Sequence, residues 1–286
     1  MQSSDATVFD FHNVEAELTS GELITFSFGR NWRKYLRRLN HTRVAQARQS
    51  LIESLRLSDL SGLTFIDAGC GSGVFSLCAL TLGAAHVTSI DIDPGSIECA
   101  LALRERATDT GDWEIRKGSL LDSEFVSGIE PADVVYSWGV LHHTGAMWDA
   151  IANTMRLVGP GGRLCLALYR APGRERAHMA LKRCYNVLPA ALRPVWCGLY
   201  YSALVARQSW VARTTPWGYV AQYGRHSRGM SLWRDVEDWL GGLPCEFATP
   251  AGVRAFAVER GFEVRNIVIA PPGANNEYLL ARRPPA

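Results

Sequence analysis

The chain has 286 residues, 47% of them apolar and 20% charged, a balance that fits a globular protein with a sizeable core and excludes a disordered chain, a collagen or a coiled coil. Thirty Lys and Arg against 28 Asp and Glu leave a net charge of +2, too small for the overall positive field of a dedicated nucleic-acid binder. Domains usually run to about 100–200 residues, so the length points to one enzyme-sized domain with a substantial insertion.

The first twenty residues carry Asp5, Asp10, Glu15 and Glu17 and no apolar run, so no export signal is expected. The seven cysteines (Cys70, Cys78, Cys99, Cys165, Cys184, Cys197 and Cys245) stand singly, without a CxxC pair or Cys/His metal spacing. They read as reduced thiols in a cytoplasm, with no metal site. Residues 43–58 place apolar side chains at helical spacing and lead into a strand at Leu63–Ala68. The cluster Gly69–Gly73 then reads as a tight turn and Val74–Leu82 as a helix. The alternation continues through a strand at His86–Asp91, a helix at Pro94–Ala107, strands at Trp113–Lys117 and Asp133–Trp138, a helix at Trp148–Leu157 and a strand at Arg163–Tyr169. Such alternation predicts a parallel sheet covered on both faces.

After Tyr169 the pattern changes. Residues 170–248 hold five of the nine Trp and five of the nine Tyr, and residues 170–234 carry 11 Lys and Arg against one acid, Glu175. Neutrality is therefore an average over unlike parts. The longest uncharged apolar stretch, Pro194–Ala206, has 13 residues between Arg193 and Arg207, whereas a spanning helix needs about 20. It can lie along a membrane surface but not cross one. Thr249-Pro250 opens a last helix through Arg260, and Phe262–Ala270 and Glu277–Arg282 read as two strands of a hairpin.

The chemistry-bearing pattern is Phe65-Ile66-Asp67-Ala68-Gly69-Cys70-Gly71-Ser72-Gly73, placed at the first strand-to-helix turn. Glycines there let the backbone turn sharply and approach a ligand, while the helix N-terminus offers free N–H donors. A dinucleotide GxGxxG fingerprint would need glycine at position 74, which is Val74. Asp91 closes the next strand about 20 residues on, where an acid can take both hydroxyls of a ribose. Asp93, just before Pro94, suits a helix N-cap instead.

These residues resemble the class I S-adenosylmethionine-dependent methyltransferases. Asp67-x-Gly69-x-Gly71-x-Gly73 is similar to their first motif and Asp91 to their ribose-binding acid. Lys117-Gly118-Ser119-Leu120-Leu121-Asp122 resembles the segment that brackets adenine, and Asp133–Trp138 with Gly139-Val140-Leu141-His142-His143 resembles the fourth strand and its loop. Val158-Gly159-Pro160-Gly161-Gly162-Arg163-Leu164 looks like the turn before the fifth strand. The resemblance implies a Rossmann-like α/β fold: a seven-stranded, mostly parallel sheet of order 3-2-1-4-5-7-6 ending in an antiparallel hairpin. It divides the chain into an N-terminal helical lid (1–60), a cofactor-binding core (61–169), a helical aromatic and basic insertion capping the substrate (170–248), and a final helix and hairpin (249–286).

By the same resemblance the cofactor is S-adenosylmethionine. Asp67, Gly69, Cys70, Gly71 and Gly73 would surround its methionine part, Asp91 and Ile92 its ribose, and Ser119 and Leu120 its adenine. Trp138 would lie near the reacting methyl, with Trp32 and Phe28 closing over it as a lid; Trp32, Tyr35, Leu36 and Leu39 equally suit an amphipathic helix packed on the sheet. His142, His143 and Tyr136 are the candidate catalytic side chains, as a general base or as pocket walls, with loop and core packing the alternative for each. Asn275-Asn276-Glu277 adds a carboxylate at the same edge that orients an amine or hydroxyl or closes the turn.

The implied reaction is in-line methyl transfer to O, N or C of a small molecule, aromatic, anionic or lipid-like, as in ubiquinone-type and natural-product methylation. A peptide or nucleic-acid acceptor, or a catalytically silent cofactor-binding subunit, is the alternative. Relatives that methylate base amines carry Asn/Asp-Pro-Pro-Tyr/Phe after the fourth strand, and Ser137-Trp138-Gly139-Val140 stands there instead, which weighs against nucleic acid.

Overall fold

The computed structural model describes residues 32, 36, 39–107, 111–226, 232–271 and 273–284. The readings made at Phe28 and Tyr35 lie outside them.

Helix α1 (His41–Leu55) starts where the Asn40 side chain accepts a hydrogen bond from the Arg43 N–H, and it buries Ala47, Leu51 and Leu55 on one stripe. There follow β1 (Thr64–Ala68), α2 (Val74–Thr81), β2 (His86–Asp91), α3 (Pro94–Arg106) and β3 (Trp113–Lys117), then α4 (Ser123–Ser127), β4 (Ala132–Trp138), a 3-10 turn at Leu141–His143, α5 (Met147–Arg156) and β5 (Val158–Tyr169). The insertion supplies α6 (Glu175–Val187), α7 (Arg193–Val211), α8 (Pro216–His226) and α9 (Leu232–Gly241), and α10 (Pro250–Glu259), β6 (Phe262–Val268) and β7 (Asn275–Arg282) complete the described chain. The strands form one sheet of order β3-β2-β1-β4-β5-β7-β6, as expected. The first five strands are parallel, and β7 runs antiparallel between β5 and β6.

Side chains alternate across the pleat, so the central strands supply two cores. Ile66, Val135, Leu164 and Leu166 pack with Ala150 and Ile151 of α5 and Val253 and Ala257 of α10. On the other face Phe65, Val87, Val134 and Tyr136 pack with Leu51 and Leu55 of α1 and Leu77 of α2. The insertion has a separate cluster built from Tyr185, Cys197, Val205, Leu232, Val236 and Leu240.

Several boundaries differ from the sequence reading by a few residues, and one helix is added. Strand β5 begins at Val158 rather than Arg163 because Val158 already pairs with Ala132; the register then jumps to Val134 opposite Arg163, so the glycine-proline run is an outward excursion within the strand. Helix α4 was not expected, since five residues are too few to show a period, although Asp122 caps it by accepting from the N–H groups of Glu124 and Phe125. Strand β7 starts at Asn275, and Asn276 is fully buried, accepting from the Ala270 N–H and donating to the Tyr278 hydroxyl.

Candidate functional site

The carboxyl ends of β1, β2 and β4 meet around the Gly69–Gly73 loop, where open α/β sheets hold their ligands. The loop is pinned on β2: the Gly69 and Cys70 N–H groups both donate to the Ile90 carbonyl, at 2.7 and 2.9 Å. Gly69 and Gly71 have φ of +88° and +54°, and each abuts a side chain. A Cβ on Gly69 would lie 2.4 Å from Val140, and one on Gly71 2.6 Å from the Trp32 indole. Val140 and Trp32 therefore wall the loop at a spacing only glycine allows.

Asp91 sits against this loop. Its Oδ2 accepts from the Gly71 N–H at 2.9 Å and its Oδ1 from the Asp93 N–H at 2.9 Å. Burial raises its pKa to about 6, with a contribution from the Asp93 charge, against the lowering effect of the backbone N–H groups of Asp93, Gly71 and Ile92. A carboxylate has about four lone-pair positions; the Gly71 and Asp93 bonds take one on each oxygen, and the remaining capacity suits a vicinal diol. Asp93 caps α3 by accepting from the Gly95 N–H at 2.8 Å. Beside Asp91, Ile92 is 58% exposed and Leu121 38% exposed, an uncovered apolar strip at the mouth of the loop. Ser119 holds the following turn by accepting from the Leu121 N–H, and Leu120 is buried with its carbonyl accepting from Asn153 Nδ2.

Asp67 lies beneath the loop, 3% exposed, with its pKa raised to about 7 by burial. Its Oδ2 accepts from the Ser76 hydroxyl at 2.6 Å. Because each hydroxyl has one proton, Ser89, 2.6 Å from Ser76, must donate to it, and Ser89 in turn accepts from Trp113 Nε1 at 2.7 Å. The relay Trp113–Ser89–Ser76–Asp67 was missed in the sequence; Asp67 followed by Ser76 nine residues on, across a turn into a helix, was the available signal.

At the other side of the cleft, Trp138 Nε1 donates to Glu277 Oε1 at 3.0 Å, and Glu277 Oε2 accepts from Ser54 Oγ at 3.0 Å. Glu277 thus ties β7 to the ring at the end of β4 and to α1. The three candidate catalytic side chains are not brought together. Tyr136 is 1% exposed and packs its ring against Phe65 and Phe75 in the α1-side core. His142 and His143 stack on each other at 4.4 Å between ring centroids, and His142 stacks on Tyr169 at 4.0 Å. His142 is 1% exposed and neither ring nitrogen makes a well-formed hydrogen bond. Burial holds it well below the ordinary histidine range, only weakly opposed by the Ala167 carbonyl. His143 Nδ1 donates to the Pro244 carbonyl at 2.8 Å, which leaves Nε2 as its acceptor nitrogen; burial and Lys182 pull its pKa down to about 4.

The insertion covers this histidine pair. The Glu246 N–H donates to the His142 carbonyl, and Glu246 Oε2 accepts from the Met147 N–H. Lys182 on α6 is fully buried, donating to the carbonyls of Trp239 and Gly242, with its Nζ 5.3 Å from the Tyr169 ring centroid and 4.8 Å from that of Trp239. Desolvation lowers its pKa to about 8. A separate open cavity of about 470 Å³, lined by Arg56, Arg163, Arg265 and Leu279 among others, opens at the amino end of the parallel strands and is not part of this cleft.

Residues 66–164 match the family model described as a methyltransferase domain. Among curated proteins the chain is 33% identical over 147 residues to a ribosomal protein L11 methyltransferase of Sodalis glossinidius, covering 49% of this chain and 45% of that protein. It is 34% identical over 139 residues to that of Haemophilus ducreyi, with the same coverage. The chain spans about half the length of the curated relatives it matches. A solved O-methyltransferase family protein from Burkholderia thailandensis shares the fold with a TM-score of 0.53 at 17% identity, over 91% of this chain and 62% of that one. The sheet order is the one that the resemblance to class I S-adenosylmethionine-dependent methyltransferases implies, and residues 66–164 of this chain carry a methyltransferase domain.

Proposed function

We propose that the chain transfers the methyl group of S-adenosylmethionine to a small-molecule acceptor by in-line displacement. The observation that carries this reading is Asp91, a half-buried carboxylate fixed by the Gly71 and Asp93 N–H groups with acceptor capacity left for the ribose diol. In the same reading the wall of Gly69, Cys70, Gly71, Gly73 and Trp32 holds the methionine part, Asp67 steadies the loop from below, Ile92, Ser119 and Leu120 border the base, and Glu277 sets the plane of Trp138. The bound cofactor supplies an already activated methyl on its sulfonium. What the protein has to add is alignment and the exclusion of water, and alignment can be worth about 7–11 kcal/mol of the barrier.

In this reading the acceptor binds beside the His142, His143 and Tyr169 cluster under the insertion, a reading supported by the rings and the buried Lys182 cation, which suit a flat or anionic molecule. A base works best with a pKa near the working pH, and both histidines are held below it, so the acceptor suits one that needs little help in losing a proton. Tyr136 is assigned to packing. The seven cysteines, all free thiols, support a reducing cytoplasm as its compartment. Among the described residues no helix is long and apolar enough to cross a membrane.

A protein acceptor is the second reading, favoured by the names of the curated relatives, ribosomal protein L11 methyltransferases. Incubation with methyl-labelled S-adenosylmethionine and either a deproteinised metabolite extract or purified ribosomal protein L11 separates the two. Label in a small molecule supports the first reading, label in the protein overturns it in favour of the second, and cofactor binding with no transfer to either leaves a silent binding module.

A further inference from the structure

The outward face of α7 carries Val195, Leu199, Ala206 and Trp210, in line with the N-cap residue Leu192, spaced so that they fall on one stripe along the helix. Val195 is 61%, Leu199 64% and Trp210 86% exposed, and Trp217 at the start of α8 is 85% exposed. Ser202, on the same stripe, returns its hydroxyl to the Gly198 carbonyl at 2.8 Å, so the stripe presents no demanding polar group. An ordinary surface helix has charges on this face. Here α7 has no acid, and Arg207 on the helix and Arg213 just past its end are exposed. The opposite face is spent on the insertion's own cluster through Cys197 and Val205.

We propose that the α7–α8 face of the insertion docks on an anionic phospholipid surface, with Val195, Leu199, Trp210 and Trp217 entering the headgroup boundary and the arginines facing lipid phosphates. Exposed tryptophans over an aliphatic stripe, bordered by bases, have the composition of an interfacial helix. A second copy of this chain is disfavoured as the occupant because the face would bring arginines against arginines with no acid to pair them. A nucleic acid would meet the arginines but leave the apolar stripe in water. The docking claim does not depend on methyl transfer.

The test is co-sedimentation of the full chain with vesicles of equal parts phosphatidylglycerol and phosphatidylcholine, and with phosphatidylcholine alone, at low and high salt. The wild type should pellet with the anionic vesicles and release in high salt, and the Leu199→Asp/Trp210→Asp double variant should partition about tenfold less or weaker. Trp217→Ser, on a different helix, should give a smaller loss in the same direction. S-adenosylhomocysteine affinity unchanged in each variant shows that the core remains folded. Failure of the wild type to pellet, or equal pelleting by all three proteins, overturns the proposal. So does a wild-type dimer in solution that the double variant dissociates, because the face would then belong to a second copy.

Discussion

Asp91 and Lys182 are both charged side chains taken out of water, one in the sheet and one in the insertion, and they are kept in different ways. Asp91 stands at a strand end, where two backbone N–H groups already point at it, and burial raises its pKa to about 6. Lys182 is held from a helix by two carbonyls and two aromatic rings, and burial lowers its pKa to about 8. Each shift goes toward the neutral form, so each charge is a cost retained for something. The backbone-held acid can be read as a ligand site from its position in the strand. The ring-held base depends on helices that meet only in the folded chain.

Core truncations should break this comparison most visibly. Leu164 and Leu240 are both fully buried, in the sheet and in the insertion, and replacing either with Ala should cost about 2–5 kcal/mol. The consequences should differ: denaturant unfolding followed by S-adenosylhomocysteine binding should show Leu164→Ala weakening fold and ligand together, while Leu240→Ala loosens the insertion and leaves ligand affinity within about twofold. Equal loss of affinity in both would mean that the two layers unfold as one.

Next in size is the loop. Gly71→Val puts a branched side chain at φ +54° into the Trp32 ring, and S-adenosylhomocysteine affinity measured by calorimetry should fall about 100-fold. An unchanged affinity would show that Trp32 moves aside freely.

The two charges can also be separated by pH. Asp67 and Asp91 have folded pKa values raised to about 7 and about 6. The folded state therefore binds protons more tightly there than the unfolded chain, and the associated stability, complete below about pH 4, is lost as pH rises through those values. Ligand binding runs the other way, since the ribose hydroxyls need the Asp91 carboxylate: affinity should fall up to about tenfold per pH unit below about 6. Lys182, with a lowered folded pKa, holds its proton more tightly when unfolded, so stability should rise with pH from about 8 toward 10.5. Lys182→Met should abolish that alkaline gain in a thermal melt series while changing neutral stability by about 1 kcal/mol, the smallest of these effects.

What was legible in the sequence follows the same division. Strand and helix alternate through residues 64–169 with apolar runs bounded by glycines, and a parallel strand buried on both faces has few other sequences open to it. That is why the glycine turn at Gly69–Gly73 and Asp91 at the next strand's end stand out by spacing, while Asp67 was marked only by the family resemblance. In the insertion, composition was plain but placement was not: nothing local in Lys182 or Tyr169 says that they will stack, because their contact is made across helices. Tyr136 looked like a catalytic candidate for being near a strand end, but the pleat turns it into the α1-side core between Phe65 and Phe75. Glu277 was marked for its position, while its actual partners, Trp138 and Ser54, come from segments far away in the chain.

The most direct test of the central claim is a calorimetric titration of S-adenosylhomocysteine into the wild type and into Asp91→Ala and Asp91→Asn at neutral pH. Removing a carboxylate that accepts two ligand hydroxyls should cost about 3 kcal/mol, so the wild type should bind and both variants should lose about 100-fold or more in affinity while keeping the wild-type circular dichroism. Equal affinity in wild type and variants would contradict the assignment of Asp91 and the cleft built around it.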